Sequence, residues 1–187
     1  MLKEQRLLLN IIDKITTEYN EIMEKHNILL KELEKKATYD NLTSLYNRTK
    51  FFDTVNQLEN KNICILFIDL DNFKEANDTY GHEIGDKILI SFSNLMKKFF
   101  KGKDVIGRLG GDEFVVAVLD CNKINIVKIL DKFLKVIRSE FKEYNITASI
   151  GVSFYPDENK NIKEVLKIAD TRMYKVKQKS RNGFCIE

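Results

Sequence analysis

The chain has little of what marks a secreted, membrane-spanning or nucleic-acid-binding protein. It contains three cysteines, an odd number without paired metal-ligand spacing, which indicates reduced thiols in the cytoplasm. No apolar stretch is long enough to cross a bilayer, and the N-terminus lacks the apolar core and cleavage site of a signal peptide. The net charge is only +3, so bulk electrostatic binding to a nucleic-acid polymer is not expected.

What the chain does contain is enough apolar material for a folded core. Of its 187 residues, 43% are hydrophobic and 32% are charged, which is too apolar a composition for a disordered chain. The length suits one ordinary domain with an additional segment. The single proline, Pro156, indicates a loop after a strand.

The first segment, residues 1–37, has no glycine or proline and shows a heptad repeat of apolar residues. The repeat predicts a parallel two-stranded coiled coil; the alternative is a single amphipathic helix packed on its own domain. We interpret His26, which lies in the seam, as a polar residue that fixes register rather than as a pH sensor. The seam comprises Leu8, Ile12, Ile15, Tyr19, Ile22, His26, Leu29 and Leu33.

Residues 38–187 show alternating helical and strand patterns, which predict a second domain. Asp40 or Asn41 is the expected capping residue ahead of its first helix. Because two central strands form a hairpin, we predict a mixed sheet with helices packed on it, an α/β (α+β) sandwich. Helical spacing appears over 48–58, 81–100, 124–141 and 161–179, and strand patterns appear at 63–70, on both sides of 110–113, at 145–155 and at 183–186.

Two acidic groups lie at the ends of apolar strands. Asp69 and Asp71 flank Leu70, and the turn Gly110–Glu113 carries Asp112 and Glu113. On neighbouring strands these carboxylates would converge and, with no Lys or Arg between them, repel unless a cation binds. Such oxygen ligands suit Mg²⁺ bound with substrate phosphates, which indicates phosphoryl or nucleotidyl transfer. An ordinary hairpin with solvated acidic residues is the alternative.

Five motifs stand together in one order and spacing along the chain: DNLTSLYNR (40–48), DLDNFKEANDTYGHEIGD (69–86), RLGGDEF (108–114), SIGVS (149–153) and ADTRMYKVKQKSRN (169–182). Together they resemble the GGDEF family of diguanylate cyclases over about residues 40–182. The resemblance implies a palm-like nucleotide-cyclase fold, with a catalytic domain over 38–187. It implies a bacterial cytoplasmic enzyme that condenses two GTP into cyclic di-GMP and two pyrophosphates, with Mg²⁺ or alternatively Mn²⁺.

The resemblance implies a metal and catalytic centre. Asp69 and Asp112 would ligate the metal through their carboxylates, and Leu70 through its backbone carbonyl. Glu113 would lie beside the metal and help to deprotonate or orient the attacking hydroxyl; a solvated charge is its alternative role. Two metals can activate the 3′-hydroxyl of one GTP and stabilise charge on the α-phosphate of the other.

The resemblance also assigns residues to the nucleotide. Asn77 and Asp86 match the guanine readers, and Leu42 would pack near the base. A carboxylate accepts hydrogen bonds from both guanine N1–H and N2–H₂, so a buried Asp86 would be left unpaired by ATP. A capping or turn role is the alternative for both readers. Gly110 and Gly111 would let the turn approach the nucleotide, and Asn72, Phe73 and Lys74 would form a phosphate cradle at a helix start.

Lys177 and Arg181, four residues apart, would hold the β- and γ-phosphates from one face of the last helix, if that helix continues so far. A solvated basic face is the alternative. Because each subunit would hold one GTP, the resemblance implies a homodimer, for which the N-terminal coiled coil provides a means of association.

The chain departs from the family pattern at the inhibitory product site, RxxD. Lys101 stands in place of the arginine, while Asp104 is retained. Lysine lacks the planar, bidentate guanidinium, so weak or absent product inhibition is expected. The last motif has Ser180 where the family usually has glycine, a mild change that leaves Lys177 and Arg181 in place.

Three other functions remain open at this point. A degenerate domain would bind GTP or cyclic di-GMP as a regulatory module. A related cyclase would make mixed GMP–AMP dinucleotides, which Asp86 disfavours. A dimerising scaffold would use the coil alone.

Overall fold

The computed structural model describes residues 2–58 and 61–187, with side chains throughout except at residues 2–4, 6–7 and 10–13. Its contacts divide the chain into two compact units, with the boundary between Thr38 and Tyr39. Each unit is described by itself. None of the described helices combines the length and apolar character that a bilayer-crossing helix requires.

The first unit is one helix, α1 (Leu2–Thr38), uninterrupted because its sequence offers no glycine or proline. Its described seam residues are exposed, and the apolar ones range from 53% at Leu33 to 63% at Ile22. The side chain of Ile12 lies outside the described residues. The apolar stripe is wider than the predicted seam, since Leu9, Met23 and Leu30 beside it are also exposed. The helix therefore presents an apolar face available for packing.

The second unit is built on a five-stranded sheet of order β2-β3-β1-β4-β5. Neighbouring strands are antiparallel except β4 and β5, which are parallel, so the predicted mixed sheet is confirmed. The central strand β1 is buried along its whole length. The strands are β1 (Ile63–Asp71), β2 (Val105–Gly110), β3 (Glu113–Leu119), β4 (Thr147–Tyr155) and β5 (Gly183–Cys185).

Helices cover both faces of the sheet, which explains why β1 reads as a continuous apolar run. On one face, Leu66 and Ile68 join a core with residues of α4 and α5, such as Phe92 and Phe133. On the other face, Phe67 joins a second core with residues of α2 and α6. The helices are α2 (Arg48–Asn56), α3 (Phe73–Tyr80), α4 (His82–Phe99), α5 (Lys123–Glu140) and α6 (Ile162–Lys179).

The structure confirms the predicted α+β sandwich and differs from the sequence analysis in two local features. The helix cap of α2 is Asn47, whose side chain accepts from Lys50 N, and not Asp40 or Asn41. Asp40 instead accepts hydrogen bonds from Thr43 N and Oγ1, at 2.8 and 2.6 Å, and so closes a turn ahead of the helix. In addition, the helical turn after β1 is a separate helix, α3, because Gly81 at φ 86° turns the chain before α4.

Candidate metal and nucleotide site

The acidic residues meet at one end of the sheet because β1 and β3 are antiparallel neighbours. In their register, Asp69 lies directly opposite Glu113. The two strand residues therefore point their side chains to the same face, the one covered by α2 and α6. Asp112 stands next to Glu113 in the turn, and its backbone carbonyl accepts from Leu70 N at 3.3 Å.

Asp69 is a buried carboxylate in an acidic environment. Burial raises the pKa of its carboxyl from 3.8 to about 6, and the charges of Asp112 and Asp71 add to this rise. Lys177 opposes the rise, since its Nζ lies 2.6 Å from Asp69 Oδ1. The contact is an ion pair without regular hydrogen-bond geometry.

The position of Lys177 corrects one premise of the sequence analysis, which placed no lysine or arginine among the converging carboxylates. The lysine reaches Asp69 from α6, which packs across β1 and β4. The two residues are far apart in the sequence, so residue spacing could not predict their contact. Among residues 2–58 and 61–187, no three His, Cys, Asp or Glu side chains gather closely enough to hold a metal ion unaided. The oxygen donors still suit Mg²⁺, which is commonly bound by one or two carboxylates together with substrate phosphates and waters.

Asp71 has a structural role. Its carboxylate accepts from Thr147 Oγ1 and Ser149 Oγ, both at 2.7 Å, and from Asn182 N at 2.9 Å. It therefore ties β1 to β4 and to the turn after α6. This network supports the backbone on which Asp69 stands.

The turn between β2 and β3 depends on backbone conformations that favour glycine. Gly110 and Gly111 have φ values of 146° and 52°, and a Cβ at either position would meet nothing within 4 Å. The open space is consistent with close approach of a ligand to the turn. Backbone conformation and room for a ligand are thus two separate reasons for these glycines.

Arg108 holds this turn, a role that sequence reasoning missed. Its Nη2 and Nε lie 2.7 and 3.0 Å from the Gly111 carbonyl, while Nη1 lies 2.9 Å from Asp40 Oδ1. Both residues stand inside motifs already quoted, but their pairing joins positions 68 apart along the chain. Asp40 and Arg108 are therefore positioning residues for the acidic turn.

The predicted phosphate cradle lies at the start of α3. Asn72, at φ 62°, begins the helix without capping it by its side chain. The first N–H groups of a helix have no acceptor within it, so those at Phe73 and Lys74 suit an anion. The Asn72 side chain instead donates to Asn145 O at 2.9 Å and accepts from Arg181 Nη1 at 2.7 Å.

The two phosphate-binding candidates from the last motif do not share a helix face. Helix α6 ends at Lys179, and Arg181 follows it in a left-handed conformation with φ 53°. The condition for a shared helix face, that α6 continues to Arg181, is therefore not met, although both side chains reach the same strand end, at Asp69 and Asn72. Ser180, where the family usually has glycine, has an unstrained φ of −142°.

The guanine-reading candidates are brought together by α3 and α4. A Cβ built at Gly85 would stand 1.8 Å from Asn77 Oδ1, so the Asn77 amide lies directly against the backbone beside Asp86. Leu42 is half-buried and packs against the core on the sheet face that α4 and α5 cover. Asp86 is exposed, so the burial on which guanine selectivity depends would have to come from the base itself.

The two candidates for product inhibition lie away from the acidic turn. Lys101 is exposed, and Asp104 is half-buried. Asp104 accepts from Leu119 N at 3.1 Å and from Lys101 N at 3.2 Å, so its carboxylate anchors local backbone. Burial raises the pKa of Asp104 despite these two hydrogen bonds.

The fold and the strand-end site define an α+β domain with acidic residues at one sheet end, and comparisons with known proteins identify its family. The family model described as "Diguanylate cyclase, GGDEF domain" matches residues 37–183. The chain belongs to this family.

Relatives of known name are similar to this chain along most of its length. The chain is 36% identical over 165 residues to "Bifunctional diguanylate cyclase/cyclic di-GMP phosphodiesterase MucR" of Pseudomonas aeruginosa, covering 83% of this chain and 24% of that protein. It is 30% identical over 168 residues to "Probable diguanylate cyclase DgcF" of Escherichia coli K12, covering 83% of this chain and 53% of that protein. The chain thus spans about a quarter and about half of these relatives.

The structure titled "coiled coil and GGDEF domain of DgcB from Caulobacter crescentus in complex with c-di-GMP" matches with a TM-score of 0.78. The identity is 23%, over 92% of this chain and 97% of that chain, and so the likeness shows the fold.

Proposed function

We propose that the chain is a diguanylate cyclase, which condenses two GTP into cyclic di-GMP and releases two pyrophosphates. The carrying observation is the direct cross-strand pairing of Asp69 with Glu113, at the strand end reached by Lys177 and Arg181. Carboxylates and basic side chains at one point suit a metal-bound triphosphate.

The acidic residues would hold the metal. Asp69 and Asp112 would ligate it through their carboxylates and Leu70 through its carbonyl, with Mg²⁺ preferred and Mn²⁺ as an alternative. When bound, the metal would supply Lewis-acid activation of a 3′-hydroxyl and neutralise charge on an α-phosphate. Glu113, half-buried and opposite Asp69, would accept or orient the proton of the attacking hydroxyl.

The remaining site residues would bind GTP. Asn77 and Asp86 would read the guanine edge, and Leu42 would pack near the base. The start of α3 (Asn72, Phe73 and Lys74) together with Lys177 and Arg181 would hold the phosphates, while Gly110 and Gly111 leave room at the turn. An open groove of about 620 Å³ between α2 and α6 also reaches Glu113, which leaves space beside that carboxylate.

The catalytic unit would act as a homodimer, because the reaction uses two GTP and each unit would hold one. The expected location is the bacterial cytoplasm. We propose residues 1–37 as the dimerising and signalling helix and residues 38–187 as the GGDEF catalytic domain. The exposed apolar face of α1 supports association with a second copy. Lys101 in place of arginine supports weak product inhibition at Lys101 and Asp104.

The test is incubation of the purified chain with GTP and Mg²⁺, with mass spectrometry of the products. The wild type should yield cyclic di-GMP, and Asp112→Ala should lower the rate by at least about 10²-fold. Product that forms equally with the variant would contradict the assigned centre.

A degenerate GGDEF domain that binds GTP or cyclic di-GMP as a regulatory module, without turnover, is the second candidate. It is favoured by the Lys177 contact on Asp69 and by the lack of a three-ligand cluster among the described residues. Saturable GTP binding by a dimeric wild type, with no cyclic di-GMP formed, would select this alternative.

A further inference from the structure

Lys177 lies where a cation bound to Asp69 would lie. Its Nζ is 2.6 Å from Asp69 Oδ1, and the carboxylate is only 6% exposed. Such a contact neutralises one charge in a group that also includes Asp71 and Asp112. A nearby positive charge strongly stabilises the ionised form of a carboxylate that is buried among other acidic groups.

Asp69, unlike Asp71, has a carboxylate oxygen that is available for exchange. The oxygens of Asp71 accept from Thr147, Ser149 and Asn182, and these hydrogen bonds hold the fold. Asp69 Oδ1 accepts no regular hydrogen bond from the described residues, so its ion pair can be replaced without breaking such a network.

Lys177 is suited to move. Its side chain is 32% exposed, and lysine is a flexible point charge rather than a rigid fork. A triphosphate carries more negative charge than one carboxylate, so a nucleotide at the start of α3 would draw the ammonium away from Asp69. A divalent cation alone would have to displace Lys177 against charge repulsion and would gain no phosphate ligands.

We propose that Lys177 occupies the cation position on Asp69 in the nucleotide-free protein, so that the divalent metal enters together with the nucleotide rather than before it. The inference rests on the proposed function, because it takes Asp69 as a metal ligand and Lys177 as a phosphate ligand. It makes Lys177 a positioning residue that couples metal binding to nucleotide binding.

Arg181 provides the matched control. It is the other basic candidate for phosphate binding, but its Nη1 contacts the neutral amide of Asn72 at 2.7 Å. Arg181→Met therefore removes a phosphate ligand and leaves the Lys177–Asp69 pair intact. Lys177→Met removes both functions, and Lys177→Arg keeps the positive charge beside Asp69.

The experiment is titration of the full chain with Mn²⁺ at pH 8 without nucleotide, with free Mn²⁺ followed by electron paramagnetic resonance. Lys177→Met should bind Mn²⁺ about tenfold more tightly than the wild type, because a competing cation has been removed. Arg181→Met and Lys177→Arg should match the wild type. Circular dichroism melting confirms that each variant is folded before titration.

Equal Mn²⁺ affinity of the wild type and folded Lys177→Met would overturn the inference, as would an equal gain in Arg181→Met. A second titration with GTP in the presence of Mg²⁺ separates the inference from the proposed function. Both methionine variants should bind GTP more weakly than the wild type. Failure of the wild type to bind GTP would contradict the proposed function itself, whatever the Mn²⁺ titrations show.

Discussion

The Arg108 guanidinium contacts the Asp40 carboxylate at 2.9 Å, and through its other nitrogens it holds the Gly111 carbonyl of the acidic turn. The side chains are only 10% and 23% exposed, so the pair is shielded from water. The first turn of the second unit and the turn that carries Asp112 are thereby joined through one side chain.

Asp40→Asn should lower the free energy of unfolding at pH 7 by about 1–3 kcal/mol, since it removes a charged partner from a shielded ion pair. Urea denaturation monitored by circular dichroism measures the change, with Asp53→Asn, at an exposed residue of α2, as the control. An Asp40→Asn variant as stable as that control would show that the pair does not stabilise the fold.

Asp40→Asn should also change how the stability of the fold depends on pH in acid. Burial raises the pKa of Asp40, but hydrogen bonds from Thr43 and the Arg108 guanidinium outweigh it, so the pKa lies below its ordinary value of 3.8. A depressed pKa contributes stability above the ordinary value, and this stability is lost as the pH falls through the folded-state pKa. The stability difference between wild type and Asp40→Asn should therefore shrink below about pH 4. A constant difference from pH 7 to pH 3 would contradict the assignment.

Asp69 should have the opposite pH dependence. Burial raises the pKa of its carboxyl to about 6, above the ordinary 3.8, so the folded state retains a proton that the unfolded state has lost. Stability should be greatest below pH 3.8 for this group, fall as the pH rises to about 6, and stay level above that. Asp69→Asn, which cannot ionise, should remove this slope in melts with excess chelator. A slope that persists in the variant would mean that another group titrates.

Gly85→Ala should weaken GTP binding with little loss of stability. The new Cβ would stand 1.8 Å from Asn77 Oδ1, so the flexible amide must move away from the proposed guanine site. We expect about a tenfold weaker GTP affinity, by calorimetry. Asn77→Ala should have a similar effect, and the double variant should add little to either single change, because both act through one side chain. If the double variant lost as much GTP affinity as the two single variants added together, Gly85→Ala would not be acting through the Asn77 side chain.

The seam of α1 should control association. Ile15→Glu with Ile22→Glu places charge in an apolar face whose members are 60% and 63% exposed in the single chain. The pair should convert a dimer to a monomer in light scattering, while the melting of the second unit is unchanged. The control is Asn20→Glu with Asn27→Glu, off the seam. Dimers that survive the seam substitutions would place the interface elsewhere.

Much of this architecture could be read from the sequence, because the strands and helices follow simple periodicities. The hairpin around 110–113 and the buried strand at Ile63–Asp71 were predicted from alternating and continuous apolar runs. The strand-end meeting of Asp69 and Glu113 followed from one further assumption, that their strands are neighbours.

The remaining features depend on contacts between distant segments, which periodicity does not encode. Lys177 on Asp69 and Arg108 on Asp40 join residues 108 and 68 positions apart. Arg181 lies beyond the helix for a local reason: its four-residue spacing from Lys177 fits a helix, but α6 ends at Lys179 and Arg181 has a left-handed conformation. The spacing of residues along the sequence does not predict a change of backbone dihedral angles at a single residue.

The most direct measurement is the ratio of pyrophosphate released to cyclic dinucleotide formed, with GTP and Mg²⁺ supplied to the purified chain. Condensation of two GTP predicts about two pyrophosphates for each cyclic di-GMP, and neither product from Asp112→Ala. A wild type that binds GTP but releases no pyrophosphate, or that releases it without any cyclic dinucleotide, would contradict the proposed cyclase.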